Sequence, residues 1–174
     1  MFREFVLSDC LENPRQTVHV SIFGSDTKTC GTSLEPCRTI AMAVDQVDWG
    51  GRIVLNGNGT KQHPFDCGST ILNGKHSGIR VPRSLTMTSL GWTLAYVSCL
   101  KGIYFHRSNE RLWITLTGVA FFGTPLKFND CSNISLINCS LQNTQEAVTV
   151  RVAKSLNASL TIRGSVFQIG RAHV

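Results

Sequence analysis

Charge is scarce in this chain. Of its 174 residues, 42% are hydrophobic and only 16% are Asp, Glu, Lys or Arg, where soluble domains usually carry about a quarter. Acids are the scarcest: eleven in all, and beyond Cys67 only Glu110, Asp130 and Glu146. That stretch therefore lacks the several carboxylates that hold calcium and the converging pair that hydrolyses a glycosidic bond. The 17 Lys and Arg are scattered, with no basic block of the kind that binds nucleic acid. Their excess, a formal net charge of +6, reads first as a solvated cationic surface and second as contact with an anionic polymer. No run reaches the roughly 18 apolar residues of a membrane span. The opening MFREFVLSDCLENPRQ has no apolar core of a signal peptide.

Metal and cofactor signatures are missing too. No cysteine pair has the CxxC spacing of zinc or redox motifs. His19, His63, His76, His106 and His173 are dispersed, with no ligand spacing on one element. Gly57-Asn58-Gly59 follows a strand-like run with no helix behind it, so it is no phosphate loop. No metal and no cofactor is expected.

What is present points outward from the cytosol. There are seven cysteines. Cys30 and Cys37 bracket a loop containing Gly, Ser and Pro, which reads as a disulfide staple, and Cys67–Cys99 is a candidate second bridge. Asn-x-Ser/Thr sequons stand at Asn58, Asn133, Asn138 and Asn157. Sequons and cysteines together indicate the secretory route and an extracellular or cell-surface location. The last six residues, 169–174, resemble one frame of a sequencing adapter. The chain is accordingly expected to be a piece of a longer protein, truncated at its C-terminus.

Residues 17–23 alternate apolar and polar and predict a strand. Ile40, Ala43, Val44 and Val47 form one apolar stripe, predicting a helix over about 39–48, capped by Thr39 and ended by Gly50-Gly51. Short β-type runs then recur. Ile53-Val54-Leu55, Ile79-Arg80-Val81, Ile103-Tyr104-Phe105, Leu126-Lys127-Phe128 and Val148-Thr149-Val150 start 26, 24, 23 and 22 positions apart. A second series interleaves with them, starting at Ile114, Ile134 and Leu160, each with Gly or Asn four residues on and an apolar residue three further.

Two or three short strands per 20–26 residues and no helix are the pattern of a β-solenoid, in which each coil covers the apolar face of the next. The leucine-rich repeat pattern is not matched. A Greek-key sandwich is the competing arrangement. The expected organisation is an N-terminal extension over 1–17, a strand and capping helix over 18–50, coils over 51–168, and a non-native tail over 169–174.

The segment GSDTKTCGTSLEPCRTIAMAVDQVDWGGRIVLNGNGT, with Ile53, Leu55, Gly59 and Thr60 closing a first coil, resembles the entry to pectin-lyase-like right-handed parallel β-helix proteins. The resemblance implies that the helix caps the open N-terminal end of the core. It also implies ligand binding along one face, across successive coils. That superfamily includes polysaccharide lyases and glycoside hydrolases, but their Asn-Thr-Asp, Asp-Asp and Arg-x-Lys strings do not occur here.

If the repeated apolar residues point inward, strand alternation turns their neighbours outward. The outward columns are Arg80, Tyr104, Lys127 and Thr149, then Pro82, His106, Asn129 and Arg151. The plain reading is a wet sheet face. The functional reading is a ligand strip of Arg80, Tyr104, His106, Lys127, Asn129 and Arg151, suited to an acidic polysaccharide or a surface protein. Asn129, Asn133, Asn138 and Asn143 are expected at turns, as is Asp130. Cys131 and Cys139 are expected on consecutive strands of one coil. The leading function is a non-enzymatic binder. A lyase or hydrolase with its catalytic coils elsewhere, and the ectodomain stalk of a membrane protein, are the alternatives.

Overall fold

The computed structural model describes residues 16–57, 59–68, 70–72, 75–107, 110–144, 148–151 and 158–169. Residues 1–15 of the expected 1–17 extension, the sequons at Asn58 and Asn157, and residues 170–174 of the expected tail lie outside them.

The chain opens with strand β1 (Thr17–Val20) and helix α1 (Ile40–Gln46). There follow β2 (Arg52–Leu55), β3 (Phe65–Asp66), β4 (Thr70–Leu72), β5 (Lys75–Ser77) and β6 (Ile79–Val81). Three triplets come next: β7 (Leu85–Ser89), β8 (Ala95–Ser98), β9 (Ile103–Phe105); β10 (Leu112–Thr117), β11 (Val119–Phe122), β12 (Leu126–Asn129); and β13 (Cys131–Ile137), β14 (Ser140–Thr144), β15 (Val148–Arg151). The last elements are β16 (Ser159–Arg163) and β17 (Val166–Ile169).

Three parallel sheets hold all of these strands except β4 and β5. The first has the order β1-β2-β7-β10-β13-β16, the second β17-β14-β11-β8-β3, and the third β15-β12-β9-β6. Each triplet visits the first, second and third sheet in turn. The fold is therefore predominantly parallel β with one short helix among the described residues.

Register follows from alternation. Val18, Ile53, Met87, Leu116 and Leu136 pair strand to strand across the first sheet. All five are buried to within 1% of full burial. Phe65, Val97, Phe121 and Leu141 make the equivalent row in the second sheet, and Val81, Phe105 and Phe128 in the third. One continuous apolar core results. A slip of one residue would turn every such row to water, so burial fixes the pairing. The row ends opened: Ile162 and Leu160 on β16 are 44% and 47% exposed.

Turns between the first and second sheets use the Gly/Asn position of the second series. Gly118, Asn138 and Gly164 have φ of 68°, 50° and 58°, a left-handed conformation that Gly and Asn tolerate best. Their amides continue the ladder: Gly118 N–H donates to Ile137 O, and Asn138 N–H to Arg163 O.

Several expectations need correction. The helix ends at Gln46, because Val47 is already extended at φ −76°, ψ 136°; Gly50, at φ 77°, belongs to the turn beyond. Thr39 does cap the start, its hydroxyl accepting from Met42 N–H. The first strand stops at Val20, and residues 22–23 turn away. Ile53-Val54-Leu55 joins the first sheet, whereas the other four members of its series form the third. Of the four expected turn asparagines, only Asn138 lies in one: Asn129 ends β12, Asn133 lies within β13, and Asn143 lies within β14. Asp130, at φ 55°, is the other turn residue. Cys131 opens β13, but Cys139 sits between β13 and β14. The antiparallel pair β4–β5 was not foreseen.

Cys30–Cys37 and Cys67–Cys99 are disulfides, with Cα–Cα distances of 4.9 and 5.3 Å. Two bridges accord with an oxidising compartment.

Candidate functional site

The outward residues of the third sheet form a strip because its strands are parallel and in register. Arg80 pairs with Tyr104, Tyr104 with Lys127, and Lys127 with Thr149. The inward partners Ile79, Ile103 and Leu126 on one side, and Val81, Phe105 and Phe128 on the other, are buried. Their burial aims the strip residues away from the core. Arg80 is exposed, and Tyr104 and Lys127 are half-buried. The Lys127 Nζ lies 5.5 Å from the centroid of the Tyr104 ring, a cation–π contact that orders both side chains across neighbouring strands.

The second column lies one step further along the same strands. Asn129 pairs with Arg151, which is exposed. His106 directly follows the Phe105–Phe128 pair, and its N–H donates to Val81 O. Its Nδ1 is buried and has no hydrogen-bond partner among the described residues. All six residues of the expected strip are thus on one sheet and at its outlet towards the first. The strip carries three cations and no acid; Asp130 stands just past Asn129, where its N–H donates to Arg151 O. Adjacent members are one strand spacing apart, about 4.8 Å.

A cavity of about 390 Å³ adjoins the strip at Pro82 and is also lined by Trp49, Arg83 and Arg107. Sequence reasoning missed this cluster. Near it, the alternation Leu112-Trp113-Ile114-Thr115-Leu116 puts a second tryptophan on the outward face of β10; it is 38% exposed. A second cavity, of about 510 Å³, lies at the other end of β6, where Cys67–Cys99 meets Phe65, Ile79 and Leu100.

Cys131 and Cys139 are free and buried. Each thiol points at backbone carbonyls, Cys131 Sγ at Phe105 O and Cys139 Sγ at Leu116 O. Burial pushes the Cys131 thiol up to about 12, and the neighbouring Asp130 carboxylate adds to the rise. Burial also raises Cys139, against the opposing pull of backbone N–H groups. These are structural thiols rather than nucleophiles. In a Cys10→Ser background, a thiol-specific disulfide reagent at pH 8 is expected to label neither until the chain is unfolded. An unfolded thiol ionises near 9.0. The folded state of Cys131 thus holds its proton more tightly, and its contribution to stability is full below about 9. That contribution is lost as pH rises from about 9 towards 12. The urea midpoint should fall across that window, and Cys131→Ala should reduce the fall.

No three of the described His, Cys, Asp and Glu residues group to hold a metal ion. No described helix is long and apolar enough to cross a membrane. No protein family model, curated protein or solved structure matches the chain.

Proposed function

We propose that the three sheets wind as a right-handed parallel β-helix of the pectin-lyase-like kind, and that the chain is a non-enzymatic, extracellular or cell-surface protein. Its ligand is an acidic polysaccharide, bound along the outward face of the third sheet. The observation that carries this reading is the in-register strip Arg80–Tyr104–Lys127, with the ammonium stacked over the ring. Cations in a row on a rigid sheet suit a polymer with regularly spaced carboxylates or sulfates. The winding is supported by the fixed order in which each triplet visits the three sheets. The location is supported by the two disulfides and by the exposed sequon residues Asn133 and Asn138.

Retention on immobilised polygalacturonate or heparin tests the reading. Arg80→Ala with Lys127→Ala should weaken binding about tenfold or more, taking each charge-assisted contact at roughly 1.5–3 kcal/mol less screening. Lys127→Ala and Arg151→Ala should each elute at lower salt than the parent. Retention unchanged in all of them, with thermal unfolding unchanged, removes the strip as the site.

A further inference from the structure

Two of the three tryptophans share one corner of the molecule. Trp49 follows α1, and Trp113 projects outward from β10. Between them lies Gly50, at φ 77°; a Cβ there would come within 3.3 Å of the Trp113 ring, so the bare backbone lets that indole lie against the turn. The Arg107 guanidinium sits 4.9 Å from the Trp49 ring centroid and pairs with Glu110. Arg83 donates to Val47 O and lines one cavity with Trp49; Arg52 lines another, of about 420 Å³, with the same tryptophan. Neither Arg52 nor Arg83 makes an ion pair among the described residues.

Even beneath Arg107, Trp49 remains 45% exposed. Tryptophan and arginine are the side chains most enriched where binding energy concentrates. A lone exposed tryptophan such as Trp92 is unremarkable on a loop; two beside three guanidiniums are a surface arranged for a partner. The corner favours a ring-shaped anion over a peptide. An indole offers a flat apolar face to the C–H side of a pyranose, and a guanidinium grips carboxylate or sulfate in a bidentate fork. A peptide anchor needs an apolar pocket. The cavities flanking Trp49 are instead lined largely by Arg, Thr, Gly and Pro.

We infer that Trp49, Trp113, Arg52, Arg83 and Arg107 form a second ligand subsite, which takes a carboxylated or sulfated sugar residue of an anionic glycan. It rests on the proposed function for the class of ligand, but on none of the strip residues. Pro82 belongs both to the outward columns and to the Trp49 cavity, so a chain bound on the strip can continue into the corner.

Tryptophan fluorescence reads this site selectively. In a Trp92→Phe background, emission comes only from Trp49 and Trp113. Titration with a heparin octasaccharide and with oligogalacturonate should change the emission with saturation for at least one of them, and neutral maltohexaose should not. Heparin carries both groups, so a response to heparin alone requires sulfate, and a response to oligogalacturonate shows that carboxylate suffices. Arg52→Gln with Arg107→Gln should raise the half-saturation concentration at least tenfold, with the thermal midpoint as the check on folding. Arg80→Ala with Lys127→Ala should leave the fluorescence change in place. No change with either anionic glycan overturns the subsite, and so does an equal response to polyglutamate, which would make the partner an acidic protein. Retention weakened in the strip variant with no fluorescence change in any titration marks failure of the corner alone, and unweakened retention with the fluorescence change intact marks failure of the strip alone. If Arg52→Gln with Arg107→Gln destabilises the chain, the single Arg52→Gln, at the exposed start of β2, serves instead and should raise half-saturation about threefold or more; no rise overturns the assignment.

Discussion

Phe128→Ala is expected to destabilise the fold by about 3–5 kcal/mol, the range for deleting a fully buried phenylalanine. Phe128 is completely buried on β12 and stacks on Phe105 of β9, with ring centroids 4.6 Å apart and planes within 5°. The stack comes from the register, since Phe128 pairs with Phe105 and Phe105 with Val81. Truncation leaves a hole bounded by backbone ladders that cannot close over it. Val150→Ala supplies the contrast. It occupies the next position of the same row, pairing with Phe128, but is only partly buried, so its loss should be well under half as large. Urea unfolding of the two variants decides. Similar losses at both positions would mean that the third-sheet core is not packed as described.

The same row shows what sequence could reveal. Apolar residues at every second position, recurring each 22–24 residues from Ile79 onwards, announced parallel strands in register, and Ile79, Ile103, Leu126 and Val148 do pair in series. The three-residue motif carried no mark of which sheet it belonged to. Ile53-Val54-Leu55 looks like a member of the third sheet and lies in the first, where Ile53 pairs with Met87. Periodicity reports alternation, not neighbours. The β4–β5 pair was legible and overlooked. Asn73-Gly74 stands between Leu72 and Lys75 in the sequence, and Asn-Gly is the strongest short hairpin signal.

For the candidate sites, the difference is one of range. The strip could be written down from the sequence because one rule, outward alternation, places all its members once the register is known. The corner could not. Trp49 comes from a post-helical turn, Trp113 from β10, and Arg83 and Arg107 from the connections after β6 and β9. The repeat does align Arg83 with Arg107, 24 positions apart like Ile79 and Ile103, but no spacing in the chain ties Trp49 or Trp113 to them. The glycine between the indoles reads in the sequence as a helix stop, whereas the helix ends at Gln46, and nothing in the sequence marks it as a seat for an aromatic ring. A residue read for its local role can thus conceal a second role set by a neighbour more than 60 positions away (Gly50 to Trp113).

Removing the Cys67–Cys99 bridge is expected to cost about 3–4 kcal/mol, the chain-entropy estimate for a loop of this length. The two cysteines are 32 positions apart, and the loop between them contains the β4–β5 pair, β6, β7 and β8. Cys30 and Cys37 are only 7 apart, so the same estimate gives about 2–3 kcal/mol for them. The longer bridge also extends the β3–β8 pairing, since Cys67 and Cys99 directly follow the paired residues Asp66 and Ser98. Cys67 O accepts the Ala41 N–H, one of the first-turn donors that a helix cannot satisfy internally, and Cys99 N–H donates to the buried Thr124 hydroxyl. Thermal unfolding of Cys67→Ala/Cys99→Ala and of Cys30→Ala/Cys37→Ala should show the larger drop for the first. Hydrogen exchange at Ala41 should accelerate in the first variant only. A larger drop from the short bridge would mean that the fold is held chiefly at the β1 loop, and that the strands between Cys67 and Cys99 form without help from the cross-link.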